Sequence, residues 1–220
     1  MKLYYAAAST VCRPIVQFLL EHDLPVELVP VDMMKGEHKS PAFLAVNPNG
    51  AVPAFVDGDL RIPESAAILR YLATIAGSPA YPAEPKARAR VDSALDWFNT
   101  GFYRDHGYGV IYPQVLPHYP VHKTDDLLAW HTDKANARLK VLNDHMIGEG
   151  TWVAGDQPTI ADFFGAALVS LSEMTDFDLT PYPNVRRWLA AVQARPSWAE
   201  ANGAFNGWCA MLKGAAAQPA

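Results

Sequence analysis

Two short stretches carry residue types that could do chemistry. In "STVCRPI", Cys12 stands beside Arg13 at the expected start of a helix. A thiol there gains a lowered pKa from the neighbouring charge and the helix dipole, unless it is simply a small core residue. In "PESAAILRYL", Glu64 and Ser65 sit just before an apolar, helix-periodic run. The first turn of a helix has N–H groups without partners and a favourable field for a carboxylate, so Ser65 is either a plain cap or one wall of an anion site. His38 and Lys39 add positive or hydrogen-bonding capacity in the polar loop "KGEHKS". Between these lies "NPNGAVPAF", where Pro53 interrupts an apolar run at which a strand begins. A proline cannot donate to a ladder, so it either opens the strand in the trans form or turns the chain through a cis Val52–Pro53 bond.

The elements that must position these residues follow from periodicity. "KLYYAA" and "VELVPVD" read as strands around the amphipathic helix "CRPIVQFLLEHD", the β-α-β order of a parallel pair. "PAFLAVN" reads as a short helix, and "AVPAFVDGDLRIP" as a hairpin turning at Asp57-Gly58. "SAAILRYLATIAG" closes this part as a helix with Gly77 past its end. The Pro-rich "SPAYPAEP" reads as a linker, and apolar spacings of three and four make the rest helical, up to an expected frayed tail at 215–220. The expected organisation is therefore an α/β domain over 1–77, a linker over 78–85 and an all-helical domain over 86–220. In "DQPTIADFF", Thr159 and Asp162 have the spacing of a reciprocal cap at a helix start.

Composition narrows the function classes. Half of the 220 residues are apolar, 19% are charged and the net charge is −5, with no Lys/Arg cluster of the kind that neutralises nucleic-acid phosphates. No stretch has the length of a membrane span or the pattern of a secretory leader, so a cytoplasmic protein binding neither membrane nor nucleic acid is expected. Two widely separated cysteines support neither a disulfide framework nor a zinc site, so no metal is expected.

Taken together, the β-α-β-α-β-β-α order, "NPNGAVPAF", "PESAAILRYL", "RARVDSALDW" and "DQPTIADFF" resemble the cytosolic glutathione transferases, closest to serine-type theta- and delta-like members with some beta-like features at "MKLYY". The resemblance spans the chain. It implies a thioredoxin-like first domain, a helical second domain, glutathione as co-substrate, a homodimer and an electrophilic small-molecule partner. It further implies a cis-proline at Pro53, pairing of the Val52 backbone with glutathione's cysteinyl part, and Glu64 and Ser65 on its γ-glutamyl end. His38, with Lys39, matches the position that serves the glycyl carboxylate. For the thiol-activating donor it places Ser9 three before the Cys-Arg pair, with Thr10 second and Cys12 a core residue. The aromatic stretch "DWFNTGFYRDHGYGVIYPQ" falls where the family holds its electrophile, and Phe102, Tyr103 and His106 are the expected pocket residues, with "HGYG" expected to interrupt the helix. Transfer to an electrophilic carbon is the leading reading. Peroxide reduction or dehalogenation on the same site, and a noncatalytic carrier or interaction module, are the alternatives.

Overall fold

The computed structural model describes residues 1–116 and 124–216. Strands β1 (Lys2–Tyr5), β2 (Glu27–Pro30), β3 (Ala54–Asp57) and β4 (Leu60–Pro63) form one sheet in the order β2-β1-β3-β4. The β1 and β2 strands run parallel across helix α1 (Arg13–His22), while β3 pairs antiparallel with both β1 and β4. The β3–β4 turn uses Gly58 at φ 58°, a left-handed angle that glycine adopts without strain. Helix α2 (Pro41–Leu44) is one turn, capped by the Ser40 hydroxyl, which accepts from the Phe43 N–H. Helix α3 (Ser65–Ile75) follows β4.

Alternation along the strands sorts side chains to two faces. Leu3 and Phe55 join Ile15 and Phe18 of α1 and Ile68, Leu69 and Leu72 of α3 in the main core. Ala54, with half-buried Tyr4, turns to the other face and packs with Phe43 of α2 and Val31. The sheet is thus covered on both sides by its own helices.

The rest is helical. Helix α4 (Pro85–Asp96) begins at Glu84, whose carboxylate accepts from the N–H groups of Lys86 and Ala87. Its chain continues through two π-helical stretches, Trp97–Phe102 and Arg104–Ile111, into α5 (Tyr112–Val115). "HGYG" therefore widens the helix and does not interrupt it. Pro113 explains part of this: a proline inside a helix lacks an N–H and crowds the carbonyl four residues back, which a wider turn relieves. Helices α6 (Asp125–Val141), α7 (Ile160–Val169), α8 (Pro183–Gln193) and α9 (Pro196–Ala216) complete the fold. The expected tail at 215–220 is helical through Ala216, and 217–220 lie outside the described residues.

Helix α7 is buried along its whole length, the mark of a central helix. Both halves of its cap are present: the Thr159 side chain accepts from the Asp162 N–H, and the Asp162 carboxylate accepts from the Thr159 N–H at 2.7 Å. Asp162 also accepts from the Thr159 hydroxyl at 2.9 Å. The same carboxylate accepts from the Val153 N–H at 2.9 Å and the Trp188 indole at 2.8 Å. The two domains are joined by Arg13 of α1, which is 1% exposed. Its guanidinium donates to Ser170 Oγ, Asn202 Oδ1 and the Ala167 carbonyl, and lies 3.7 Å from the Phe205 ring centre. Among the described residues no helix is long and apolar enough to cross a membrane.

Candidate active site

A cavity of about 340 Å³ opens where the two domains meet. The loop before β3 lines it with Asn47, Asn49, Ala51, Val52 and Pro53, and the β4–α3 junction with Pro63, Glu64 and Ser65. Val11 enters from the turn before α1, while Asn99, Tyr103 and Tyr108 enter from the wide helix. The Val52–Pro53 bond is cis. Ser65 is buried at the first position of α3, and exposed Glu64 precedes it with φ 72° and ψ 111°. A larger, open hollow of about 660 Å³ beside Arg90 and Trp152 holds none of the expected residues. Among the described residues no group of three or more His, Cys, Asp or Glu side chains is arranged to hold a metal.

The three donors of "STVC" separate by environment. Ser9 is half-buried in the turn that starts α1, where its carbonyl accepts from the N–H groups of Cys12 and Arg13. It is not a cavity-lining residue, although Val11 two positions on is. The Thr10 hydroxyl is buried and hydrogen-bonded to the Tyr112 hydroxyl at 2.7 Å. Cys12 is fully buried, and desolvation pushes its thiol up to about 11 against hydrogen bonding from Ser9 and the charge of Arg13. Burial outweighs the helix start and the arginine, so Cys12 is a core thiol and not a nucleophile at neutral pH.

On the far wall, Lys39 donates to the Gly50 carbonyl at 3.0 Å, which holds its ammonium beside the cavity-lining Asn49 and Ala51. His38 is half-buried, and its Nδ1 has no partner among the described residues. Neither side chain lines the cavity itself. Asn47 shapes this wall by donating to the Ala51 carbonyl and accepting from the Asn49 N–H.

Comparison with known proteins decides the family. Sequence models of the glutathione S-transferase N-terminal and C-terminal domains match residues 1–74 and 110–196. The chain is 35% identical over 180 residues to glutathione S-transferase theta-1 of Homo sapiens, covering 79% of this chain and 72% of that protein. The chain belongs to the glutathione S-transferase family. A delta-class transferase structure from Nilaparvata lugens superposes with TM-score 0.84 at 30% identity, over 97% of this chain and 98% of that one. The human theta-2 transferase, solved with glutathione and an unknown ligand, superposes with TM-score 0.84 at 29% identity, over 99% of this chain and 92% of that one.

Within this transferase the expected electrophile residues divide. Tyr103 lines the cavity, whereas Phe102 and His106 are fully buried on another face of the same helix and do not. Phe102 packs on Phe98 and Trp97, and His106 stacks on Phe102 and meets Phe177 edge-on. Val11, Asn47, Asn49, Ala51, Pro63, Asn99 and Tyr108 line the cavity without having been expected site residues. Tyr108 had a signal in the aromatic stretch expected to hold the electrophile, and Asn47 and Asn49 had one in the "NPNG" turn.

His106 has a different consequence. Among the described residues Ser172 alone meets its Nε2, at 3.1 Å, and desolvation pulls its pKa down from 6.5 to about 3. The folded state keeps this ring neutral while the unfolded chain protonates it near 6.5. Its contribution to stability is therefore complete above about 6.5 and is lost progressively as pH falls toward 3. The melting temperature should fall between pH 7 and pH 5, and less steeply in His106→Gln, which cannot take the proton. Equal slopes in the two proteins would remove His106 as the cause.

The transferase also holds strain at Glu64, whose φ of 72° is costly for a residue with a Cβ. Glu64→Gly should raise stability by about 1 kcal/mol while raising the KM for glutathione. Thermal melts and glutathione saturation curves on the same preparations check both directions; a variant with unchanged KM would leave Glu64 without a binding role.

Proposed function

We propose that residues 1–77 bind glutathione in the cavity and residues 86–220 present the electrophile, so that the enzyme transfers the glutathione thiolate to a hydrophobic or aromatic substrate. The observation carrying this reading is the convergence on one cavity of the Val52 backbone, Pro53 and the start of α3 with Glu64 and Ser65. Extended peptide backbone pairs with exposed backbone such as that of Val52. The first-turn N–H groups of α3 and the Ser65 hydroxyl suit the γ-glutamyl carboxylate, with Glu64 for the ammonium beside it. Lys39 and His38 serve the glycyl carboxylate from the opposite wall.

Ser9 is the donor to the sulfur. A hydrogen bond to the charged form favours the thiolate, so the thiol proton leaves to solvent at neutral pH. The sulfur then attacks the electrophilic carbon: the C–S bond forms as the leaving group departs with its electron pair. The apolar aromatic wall holds the second substrate in line, which removes much of the entropic barrier. A homodimer is the assembly this reading takes.

Titrating the thiolate absorbance of bound glutathione tests the proposal. A pKa depressed from the solution value, with conjugate formed from an aryl or alkyl electrophile, supports it. Absence of binding, or binding with an unshifted pKa, would leave a glutathione-fold protein without this chemistry.

A further inference from the structure

The turn that carries Ser9 is held from the other domain. Within the first domain both backbone groups of Ser9 are engaged: its N–H donates to the Ala6 carbonyl at 3.0 Å, and its carbonyl accepts from the Cys12 and Arg13 N–H groups. The hydroxyl therefore goes where the turn goes. Two side chains of this turn reach the helical half, Arg13 at its end and Thr10 directly after Ser9. The Thr10 and Tyr112 hydroxyls are hydrogen-bonded at 2.7 Å, and both residues are buried, so little water competes for the bond. Val11, between the two anchors, lines the cavity.

The far end of the Thr10 anchor is stiff because the helix that carries it is wide. Tyr103 and Tyr112 are nine residues apart, which in an α-helix of about 3.6 residues per turn would put them on opposite faces. The π-helical winding of Arg104–Ile111 takes more residues per turn and brings their phenols to 2.7 Å. Tyr103 is engaged in turn with Tyr108, so the Tyr112 oxygen is fixed from the helical side as well as by Thr10. Thr10 adds stiffness at its own end, since a β-branched side chain has few χ1 options.

We propose that Thr10 and Tyr112 are positioning residues: their hydrogen bond fixes the Ser9 turn against the helical domain and so aims the Ser9 hydroxyl at the glutathione sulfur. The proposal rests on the reading of Ser9 as donor given above. A hydrogen bond weakens steeply once it bends, and a donor free to drift by about half an ångström favours the thiolate less than a fixed one. Neither Thr10 nor Tyr112 touches the sulfur in this role. Arg13 does not substitute for them, because it holds the start of α1 four residues after Ser9, whereas the bond at Thr10 holds the adjacent residue. The domain that presents the electrophile thus also sets how well the first domain activates the thiol.

The test follows the pKa of bound glutathione, by thiolate absorbance, in single and paired variants. Tyr112→Phe and Thr10→Val each remove one partner and should raise that pKa by about half a unit to one unit, with kcat/KM at neutral pH falling about three- to tenfold. Thr10→Ser, which keeps a hydroxyl, should stay close to wild type. Thr10→Val and Tyr112→Phe together should raise the pKa no more than either alone, and neither should raise it further in Ser9→Ala, because both act through Ser9. A wild-type thiol pKa in both single variants overturns the proposal, even where their melting temperatures fall, since that is the mark of a purely structural bond. A rise in Thr10→Val with none in Tyr112→Phe also overturns it, and makes Thr10 itself the donor to sulfur. A further rise on top of Ser9→Ala overturns the route through Ser9. Wild-type protein that does not bind glutathione, or binds it with an unshifted pKa, would instead overturn the transferase reading, and this proposal with it.

Discussion

Ser9→Ala should return the bound glutathione thiol toward its solution pKa and lower kcat/KM at neutral pH. A hydrogen bond to a charged acceptor is worth about 1.5–3 kcal/mol, which corresponds to a rise of roughly one to two pKa units and a loss of about ten- to a hundredfold in rate. The loss should shrink as pH rises, because solvent then supplies the thiolate that the hydroxyl no longer favours. The neighbouring donors give the comparison its force. Cys12 is held neutral by burial near a pKa of 11, and the Thr10 hydroxyl is already engaged with Tyr112. A bound thiol that keeps its depressed pKa in Ser9→Ala would move the role to backbone donors or to Thr10.

The second large effect is structural. Asp162 accepts four hydrogen bonds, from Val153, Trp188 and twice from Thr159, in a site with no solvent exposure. Asp162→Ala would leave those donors buried without an acceptor, at a cost of about 3–5 kcal/mol. For a chain of this length that is a fall of roughly 10 °C in melting temperature. Asp162→Asn keeps the shape but turns an NH2 toward donors, so its loss should be intermediate. Calorimetric melts separate the cases, and a fall of only a degree or two in Asp162→Ala would sink the assignment. Burial raises the Asp162 pKa despite its four donors. A raised folded pKa makes a contribution that is present in acid and lost as pH rises through it, so this carboxylate does not add to the acid sensitivity that His106 brings.

How much of this was legible in the sequence depended on the range of the interaction. The β-α-β order, the turn at Asp57-Gly58, the reciprocal cap of Thr159 and Asp162, and the position of Ser65 at a helix start are local patterns, and each is present in the structure. The Trp188 and Val153 bonds to Asp162 come from elements distant in the chain and had no local signal. The electrophile wall misled for a definite reason. An α-helical period offers no basis for aligning Tyr103 with Tyr112, and a His beside aromatics reads equally as pocket or core. Only the wide winding decides that Phe102 and His106 turn inward while Tyr103 and Tyr108 face the cavity. Arg13 was legible as a charge beside Cys12, but not as a group whose hydrogen bonds all reach the other domain.

That reach makes the two halves poor candidates for independent existence. A guanidinium whose partners Ser170, Asn202 and Ala167 all lie in the helical half would, in an isolated first half, be left on apolar surface with its donors turned to water. Evolution by swapping halves between such chains is constrained at this residue. A new helical half must bring its own acceptors for Arg13, or the seam that contains the cavity does not close.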